Sequence, residues 1–341
     1  MIYSFPHYLS AKKSVDDRAI NRLVWEALQE ALKGSALQIG SEKPVRILEI
    51  GAGIGTMLER MLEWGLLGDL GPQDIHYSGI DAQAENIAEA LVRLPTWAQA
   101  ELKGQKKAKS AGLRFQVERI GPGQLKIDRQ QGRHDQATAS NASVTAEFEA
   151  IDLFDFIIRD GGSRHWDLLV GHAFLDLLDL PASLPQIFSL LEPGGLFYFS
   201  INFDGLTILE PPVDPEFDDQ VLALYHRSMD ERRSPAGSSS GDSRTGRRLF
   251  THLEQAGAEI ISAGPSDWVV FPRQHTYAAD EAYFLYFILH FFEETLREHP
   301  ELDPQRFQDW LEARRSQIER GELVYIAHQL DFLGRYSGSS G

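Results

Sequence analysis

The sequence predicts an α/β fold in which helices cover both faces of a doubly wound, mostly parallel sheet. A β-branched, apolar stretch at Val45–Ile50 ends in a turn with glycines at alternate positions, and a helical pattern begins directly after that turn. Further short apolar stretches follow at residues 76–81, 166–171 and 196–202, with room for a helix before each. Alternating strands and helices are typical of βαβ units and of a parallel sheet.

The turn after the first predicted strand carries glycines at positions 51, 53 and 55, preceded by Glu49. Glycines let the backbone approach a ligand closely, and the free amides at a helix start favour an electron-rich group. The spacing is G-x-G-x-G, whereas the dinucleotide fingerprint is G-x-G-x-x-G. The turn therefore predicts a nucleotide-like cofactor and argues against NAD.

Acidic residues stand at the ends of the next two predicted strands. Asp81 ends the strand 76–81, and Asp152 follows the strand 144–150. A carboxylate at a strand end can accept both hydroxyls of a ribose. Asp81 could equally cap the helix that follows it, because Asp is a favourable N-cap residue.

Four landmarks occur in the order found in class I S-adenosylmethionine (SAM)-dependent methyltransferases. They are the E-x-G-x-G-x-G sequence at 49–55, Asp81, the His-Ala-Phe turn at 172–174 and the L-x-P-G-G sequence at 191–195. The chain resembles this family over residues 45–203. The resemblance implies a Rossmann-like, seven-stranded, mostly parallel sheet, to which an N-terminal helix and helical cap insertions are added. It also implies SAM as the cofactor and S-adenosylhomocysteine as the product.

The resemblance assigns cofactor contacts to particular residues. The glycine turn would pack against the amino acid and ribose, Asp81 would bind the ribose hydroxyls, and Asp152 would accept from the adenine amino group. The His-Ala-Phe turn at 172–174, which follows the predicted strand 166–171, would lie beside the sulfonium. The predicted cofactor-binding residues are Arg18, Glu49, Gly51, Ala52, Gly53, Gly55, Thr56, Asp81, Ala82, Asp152, Leu153, His172, Ala173 and Phe174.

Several of these assignments have a structural alternative. Glu49 could bind the methionine amine, or it could pair with Arg18 or Lys12, either of which could instead meet the SAM carboxylate. Asp152 could simply cap the segment after it. His172 could be a core histidine that is hydrogen-bonded to the backbone.

The methyl acceptor is predicted to be a small, partly apolar molecule. No Asn/Asp-Pro-Pro-Tyr/Phe sequence follows the predicted strand 166–171, which argues against methylation of adenine, cytosine or glutamine amino groups. The candidate acceptor-binding residues are Tyr8, Asn202, Tyr225, Arg244 and Arg247. The candidate catalytic bases are His172, Asp204 and His226.

Composition sets further limits on function. The chain has 341 residues, 33 basic and 50 acidic, with a net charge of −17, and such a field repels nucleic acid. It has no cysteine, so thiolate metal sites are excluded, and methyl transfer from SAM requires no metal. No apolar run is long enough to span a membrane, and we expect a cytoplasmic protein whose oligomeric state is left open.

The predicted organisation has five parts. Residues 1–43 form a helical segment over the cofactor, with one helix from Ser14 or Asp16 to about Lys33. Residues 44–203 form the SAM-binding core, 204–244 a lid, 245–336 the second half of the core with a helical cap, and 337–341 a flexible tail. A further strand is predicted within the core at 113–119. Beyond the core, helices are predicted at 218–232, 245–256, 280–299 and 303–320, and strands at 259–263 and 323–332.

The sequence thus predicts an enzyme that moves the sulfonium methyl of SAM to an O, N or C nucleophile by in-line displacement. Two alternatives stay open. An aminopropyltransferase should lack a partner for the methionine carboxylate, and a non-catalytic nucleotide-binding module should lack an acceptor cavity. One fold hosts many functions, so the fold does not separate them.

Overall fold

The computed structural model describes residues 3–34, 43–67, 74–102, 114–130, 143–233, 237 and 240–338. Residues 339–341 of the predicted tail lie outside this part. The helices are α1 Phe5–Ala19, α2 Arg22–Gly34, α3 Thr56–Glu63, α4 Ala84–Leu102, α5 Leu153–Asp160, α6 Leu180–Phe188, α7 Pro215–Asp230, α8 Thr245–Gln255, α9 Glu281–Leu296 and α10 Pro304–Glu319. The strands are β1 Val45–Ile50, β2 Ile75–Asp81, β3 Arg114–Gly121, β4 Gln124–Gln130, β5 Ser143–Ala150, β6 Trp166–His172, β7 Leu191–Glu210, β8 Ala258–Pro265, β9 Trp268–Val270 and β10 Val324–Tyr336.

The strands form one mixed sheet in the order β3-β4-β5-β2-β1-β6-β7-β10-β8, and β9 pairs with β10. Strands β5, β2, β1, β6 and β7 are parallel, whereas β10 is antiparallel to both of its neighbours β7 and β8. The predicted α/β class with a mostly parallel core is confirmed. The predicted count of seven strands is too low, because the hairpin β3–β4 extends one edge and β9 adds a short strand.

The N-terminal region forms two helices where the sequence predicted one. α1 already starts at Phe5 and ends at Ala19, because the backbone of the next residue, Ile20, leaves the helical region (φ −46°, ψ 126°). The side chain of Asn21 then accepts hydrogen bonds from the backbone N–H groups of Leu23 (3.0 Å) and Val24 (3.1 Å). Asn21 therefore starts a new helix as its N-cap, a role for which Asn is well suited.

Strand β7 is longer than the sequence predicted. The apolar stretch was expected to end near residue 202, yet β7 continues to Glu210 because β10 pairs with it from Val324 onward. Pairing between distant strands favours extended backbone beyond the local apolar pattern. The residues just after 203, assigned to a lid, are thus part of the sheet. The helices predicted after β7 and the strands predicted at 259–263 and 323–332 are confirmed as α7 to α10, β8 and β10.

A buried charge cluster fixes α1 against α3. Asp17 accepts from Arg60 Nε at 2.8 Å and from Lys13 Nζ at 2.9 Å, and Lys13 also contacts Glu63 at 3.2 Å. The side chain of Arg60 is fully buried. Because a buried charge is tolerated only when it is paired, this cluster determines where α1 sits.

Candidate active site

A cavity of about 740 Å³ opens at the carboxyl ends of the parallel strands. In open α/β sheets, ligands bind at this edge. One part of the wall comes from the turns after β1, β2, β5 and β6, and the other comes from α1, α7, α9, β7 and β10. We call these the strand-end half and the aromatic half.

In the strand-end half, a side chain at the first two glycines of the turn would clash with its neighbours. Gly51 has φ +69°, and a Cβ added there would lie 2.5 Å from Cδ2 of Phe174. Gly53 has φ +53°, and a Cβ there would meet Leu9 of α1 at 3.1 Å. α3 starts at Thr56, directly after the turn. Gly51, Ala52, Gly53 and Thr56 line the cavity, whereas Gly55 lies behind them against Leu94.

Asp81 lines the cavity and holds the glycine turn. One carboxylate oxygen, Oδ2, accepts from the backbone N–H of Gly53 at 2.9 Å. The other accepts from the N–H of Gln83 (2.8 Å) and from the side-chain amide of Asn86 (3.1 Å). A carboxylate offers about four acceptor positions, so Asp81 can cap the helix start and still accept from a ligand.

Asp152 caps the helix that follows it and also lines the cavity. It caps α5, because Oδ1 accepts from the N–H of Phe154 at 2.8 Å. Its side chain is exposed, and it lines the cavity beside Ile151 and Leu153. Capping and cavity lining are therefore compatible at this position.

Glu49 is buried below the glycine turn. It accepts a hydrogen bond from the hydroxyl of Tyr77, and it is paired with neither Arg18 nor Lys12. Burial raises the pKa of Glu49 to about 8, which outweighs the opposite effect of the Tyr77 hydrogen bond. Glu49 is therefore neutral at pH 7, and a cation beside it would favour ionisation.

A buried polar network lies between the two halves. Asp16 accepts from Lys12 Nζ, His172 Nε2 and Trp268 Nε1, each at 2.9 Å. Although burial raises the pKa of Asp16, Lys12 and His172 hold it well below its usual value. Burial in turn lowers the pKa of His172 to about 4, although Asp16 acts in the opposite direction.

His172 is consequently neutral, and its tautomer follows from its partners. Ionised Asp16 can only accept, so Nε2 carries the proton, and Nδ1 accepts from the hydroxyl of Ser200 at 2.8 Å. Both ring nitrogens are engaged, with side chains rather than with the backbone. His172 lines the cavity with Ala173 and Phe174 but offers no free nitrogen as a base.

The aromatic half is walled by rings from separate elements. They are Phe5, Tyr8, Phe203, Tyr225, Trp268, Phe291 and Tyr325. Tyr225 stacks on Phe292 of α9 at 4.1 Å, and burial raises the pKa of Tyr225 to about 12. The aromatic helix α9 serves the core and the cavity together, because Phe284 and Phe292 are buried while Phe291 lines the cavity.

Two predicted residues lie away from the cavity. Arg18 pairs with Glu281 at 2.5 Å on the outer side of α1. Asn202 is fully buried and donates to the backbone carbonyls of Phe199 (3.1 Å) and Leu330 (2.8 Å). Arg18 as a cofactor ligand and Asn202 as an acceptor ligand are thus corrected by their placement, and Lys12 replaces Arg18 at the cavity.

The two candidate arginines and two of the candidate bases also lie outside the cavity, whereas Tyr8 and Tyr225 line it. Asp204 accepts from the N–H (2.7 Å) and Nε (2.8 Å) of Arg247, so these two side chains satisfy each other outside the cavity. Arg244 is exposed and lies outside it as well. His226 is hydrogen-bonded to Thr207 at 3.0 Å, and Thr207 rather than His226 lines the cavity. Neither Asp204 nor His226 is therefore placed as a base.

Sequence reasoning missed several cavity residues, notably Asp176, Trp268, Tyr325 and Gln329. Three of them lie after residue 260, beyond the stretch that carries family motifs. Asp176 follows the His-Ala-Phe turn by two positions, and that proximity was the one available signal. Within the described ranges, no group of three or more His, Cys, Asp or Glu side chains is arranged to hold a metal, and no helix is long and apolar enough to cross a membrane.

A family model described as "Methyltransferase domain" matches residues 19–226, more than half of the chain. The chain belongs to this family. It is a class I SAM-dependent methyltransferase. The fold and the order of its motifs agree with that assignment. A search of curated proteins gives no match.

Solved structures of methyltransferases are similar to this chain at low identity. The cyclopropane synthase MmaA2 from Mycobacterium tuberculosis is 8% identical, with 98% of this chain and 99% of that one covered and a TM-score of 0.38. A SAM-dependent methyltransferase from Methanosarcina mazei is 15% identical, with 86% and 93% covered and a TM-score of 0.34. A phosphoethanolamine N-methyltransferase from Haemonchus contortus is 12% identical, with 99% and 61% covered and a TM-score of 0.38. At these TM-scores the likeness supports nothing beyond the family match.

Proposed function

We propose that this methyltransferase acts on a small, partly apolar molecule that carries an O, N or C nucleophile. One observation supports this most strongly: a single cavity of about 740 Å³ joins the glycine turn to a chamber with aromatic walls. Small-molecule sites are typically concave, mostly apolar and supplied with a few polar groups. A nucleic-acid substrate is disfavoured by the chain's charge of −17.

The strand-end half fits SAM, which would supply an already activated methyl group. The close packing of Gly51 on Phe174 leaves the exposed backbone of the turn for the amino acid and ribose. We assign the ribose hydroxyls to Asp81, with Ala82 beside it, and the adenine edge to Asp152 and Leu153. Glu49 would meet the methionine amine, and Lys12 the carboxylate, because it lines the cavity with only one anionic partner.

The chain's own contribution to transfer is positioning and exclusion of water. A near-attack geometry places the reacting atoms about 3 to 3.5 Å apart, and such alignment alone removes much of the barrier. We assign acceptor contacts to Tyr8 and Tyr225 in the aromatic half. His172 is assigned a positioning role, since it holds Asp16 and thereby Lys12.

Different helices are proposed to cover the cofactor and to close the acceptor chamber. We propose that α1 covers the cofactor and that α7 of the 204–244 segment and α9 close the acceptor chamber, because all three supply cavity residues. Lys12 favours SAM over its decarboxylated form, which argues against an aminopropyltransferase. The open aromatic chamber argues against a non-catalytic module.

Calorimetric titration with S-adenosylhomocysteine, NAD and decarboxylated SAM tests the cofactor proposal. We expect micromolar binding of S-adenosylhomocysteine and binding of the other two at least tenfold weaker. Preference for decarboxylated SAM would favour aminopropyl transfer. Preference for NAD, or no binding at all, would overturn the proposal.

A further inference from the structure

Asp176 stands out because its carboxyl is only partly satisfied: it accepts from its own backbone N–H, while one oxygen has no partner in the described part of the chain. It lies in the short 3₁₀ helix Leu175–Leu177 after β6 and lines the cavity. Its Oδ1 atom is buried and has no hydrogen-bond partner among the residues that the structure describes. Leaving a buried polar group unpaired costs about 1–3 kcal/mol, so such a group calls for an explanation.

The surroundings of Asp176 supply no cation in contact with it. Arg232 and Lys12 are the cationic side chains that lower its pKa, yet neither forms an ion pair with Asp176, and Lys12 is paired with Asp16. Burial is the larger effect and raises the pKa of Asp176. Asp176 thus lines the chamber without an ion pair in the described part of the chain, although Lys12 and Arg232 line the same cavity.

The chamber is rich in groups that favour a cation. The hydroxyls of Tyr8, Tyr225 and Tyr325 have no hydrogen-bond partner in the described part of the chain, and burial raises the pKa of each. Aromatic faces attract ammonium groups within about 6 Å. Gln329 adds a second buried acceptor oxygen that has no partner among the described residues.

We propose that Asp176, with the rings of Tyr8, Tyr225 and Tyr325, forms a site for the ammonium group of an amine-bearing acceptor. The unpaired atoms, Asp176 Oδ1 and Gln329 Oε1, are oxygens that accept hydrogen bonds, so a ligand with N–H or O–H donors completes them. An ammonium group supplies such donors together with the charge that the aromatic walls attract. This inference rests on the proposed small-molecule function and narrows it to amines.

Calorimetry on protein saturated with S-adenosylhomocysteine tests this site with three matched probes: 2-phenylethylamine, 2-phenylethanol and 3-phenylpropionate. We expect the amine to bind at least tenfold more tightly than the alcohol and the carboxylate. Equal affinity for the alcohol, preference for the carboxylate, or no binding of the amine would overturn the inference. Failure of S-adenosylhomocysteine to bind in the first step would instead overturn the proposed function.

The variant Asp176→Asn connects the preference to this residue. It should weaken amine binding at least tenfold and leave the affinities for 2-phenylethanol and S-adenosylhomocysteine unchanged. Asp179→Asn is the matched control, since Asp179 lies three positions along the chain but outside the large cavity, and it should bind the amine like the wild type. Unchanged amine affinity in folded Asp176→Asn would contradict the inference. The wild-type probe comparison decides it even if that variant fails to fold.

Discussion

The two halves of the cavity differ in how their polar groups are satisfied. In the strand-end half, Asp81 and Asp152 already accept from backbone N–H groups at 2.8–2.9 Å. In the aromatic half, the hydroxyls of Tyr8 and Tyr225 and Oδ1 of Asp176 have no partner among the described residues. The polar groups of the first half are thus organised by the chain itself, whereas we propose that those of the second half are completed by a ligand.

The halves differ equally in how the chain builds them. The strand-end half is made by short turns, each next to the end of a parallel strand, so a few neighbouring residues define each contact. The aromatic half gathers side chains from α1, β7, α7, α9 and β10. Local sequence motifs therefore predict the residues of the strand-end half, whereas the residues of the aromatic half depend on how elements distant in sequence pack together.

The largest loss of stability is expected from loosening α1, which walls the aromatic half and packs on the glycine turn through Leu9. Asp17→Ala leaves buried Arg60 without its carboxylate partner, and breaking a buried pair in this way costs about 3–5 kcal/mol. Urea unfolding should show that loss. Asp280→Ala is the control, because its pair with His7 is exposed and worth less than about 1 kcal/mol. Equal losses in the two variants would mean that the cluster does not fix α1.

A methyl group in the glycine turn should damage the strand-end half alone. Gly51→Ala combines a left-handed backbone, which costs about 1–2 kcal/mol, with a contact 2.5 Å from Phe174. We expect S-adenosylhomocysteine to bind at least tenfold more weakly. Gly162 has a similar φ of +79°, and a Cβ added there would meet no atom within 4 Å. Gly162→Ala should therefore strain the backbone without weakening the binding of S-adenosylhomocysteine. The same affinity in both variants would place the cofactor elsewhere.

Glu49 should make stability depend on pH. Its pKa is raised to about 8 in the folded protein from 4.5, so the unfolded chain releases this proton first as pH rises. The free energy of unfolding should therefore fall between about pH 5 and pH 8, by up to about 1.4 kcal/mol per pH unit for one proton. Glu49→Gln should remove this part of the dependence and be more stable than the wild type at pH 8.

Urea unfolding of the two proteins at pH 5.5 and pH 8 isolates the Glu49 contribution, since other raised groups such as Asp331 are common to both. The same variant should bind S-adenosylhomocysteine more weakly, because it loses the carboxyl group that we assign to the methionine amine. Identical pH dependence in variant and wild type would show that Glu49 is ionised before the ligand binds.

The smallest effect is expected for the arginines that the sequence suggested as acceptor ligands. Arg244→Gln and Arg247→Gln should leave affinities for S-adenosylhomocysteine and 2-phenylethylamine unchanged within twofold, because neither residue lines the cavity. Calorimetry with both ligands checks this. A tenfold loss in either variant would move the acceptor site toward α8.

The sequence predicted most of the strand-end half because each of its contacts lies within a few residues of a strand end. The glycine turn, Asp81 and Asp152 are all there. It missed the break at Asn21 and the extension of β7 to Glu210, since one depends on a single capping side chain and the other on pairing with β10. Asp204 and Arg247 were wrongly predicted to line the site. A polar residue at a strand end looks like a ligand contact in the sequence, which does not show that these two side chains hydrogen-bond to each other.

A crystal structure of the complex with S-adenosylhomocysteine tests most directly whether the two halves form one methyl-transfer site. We expect the ribose hydroxyls within hydrogen-bond distance of Asp81, the adenine beside Asp152 and Leu153, and the sulphur facing the aromatic half. A ligand bound among Tyr8, Tyr225 and Tyr325, or one whose sulphur points away from them, would contradict it.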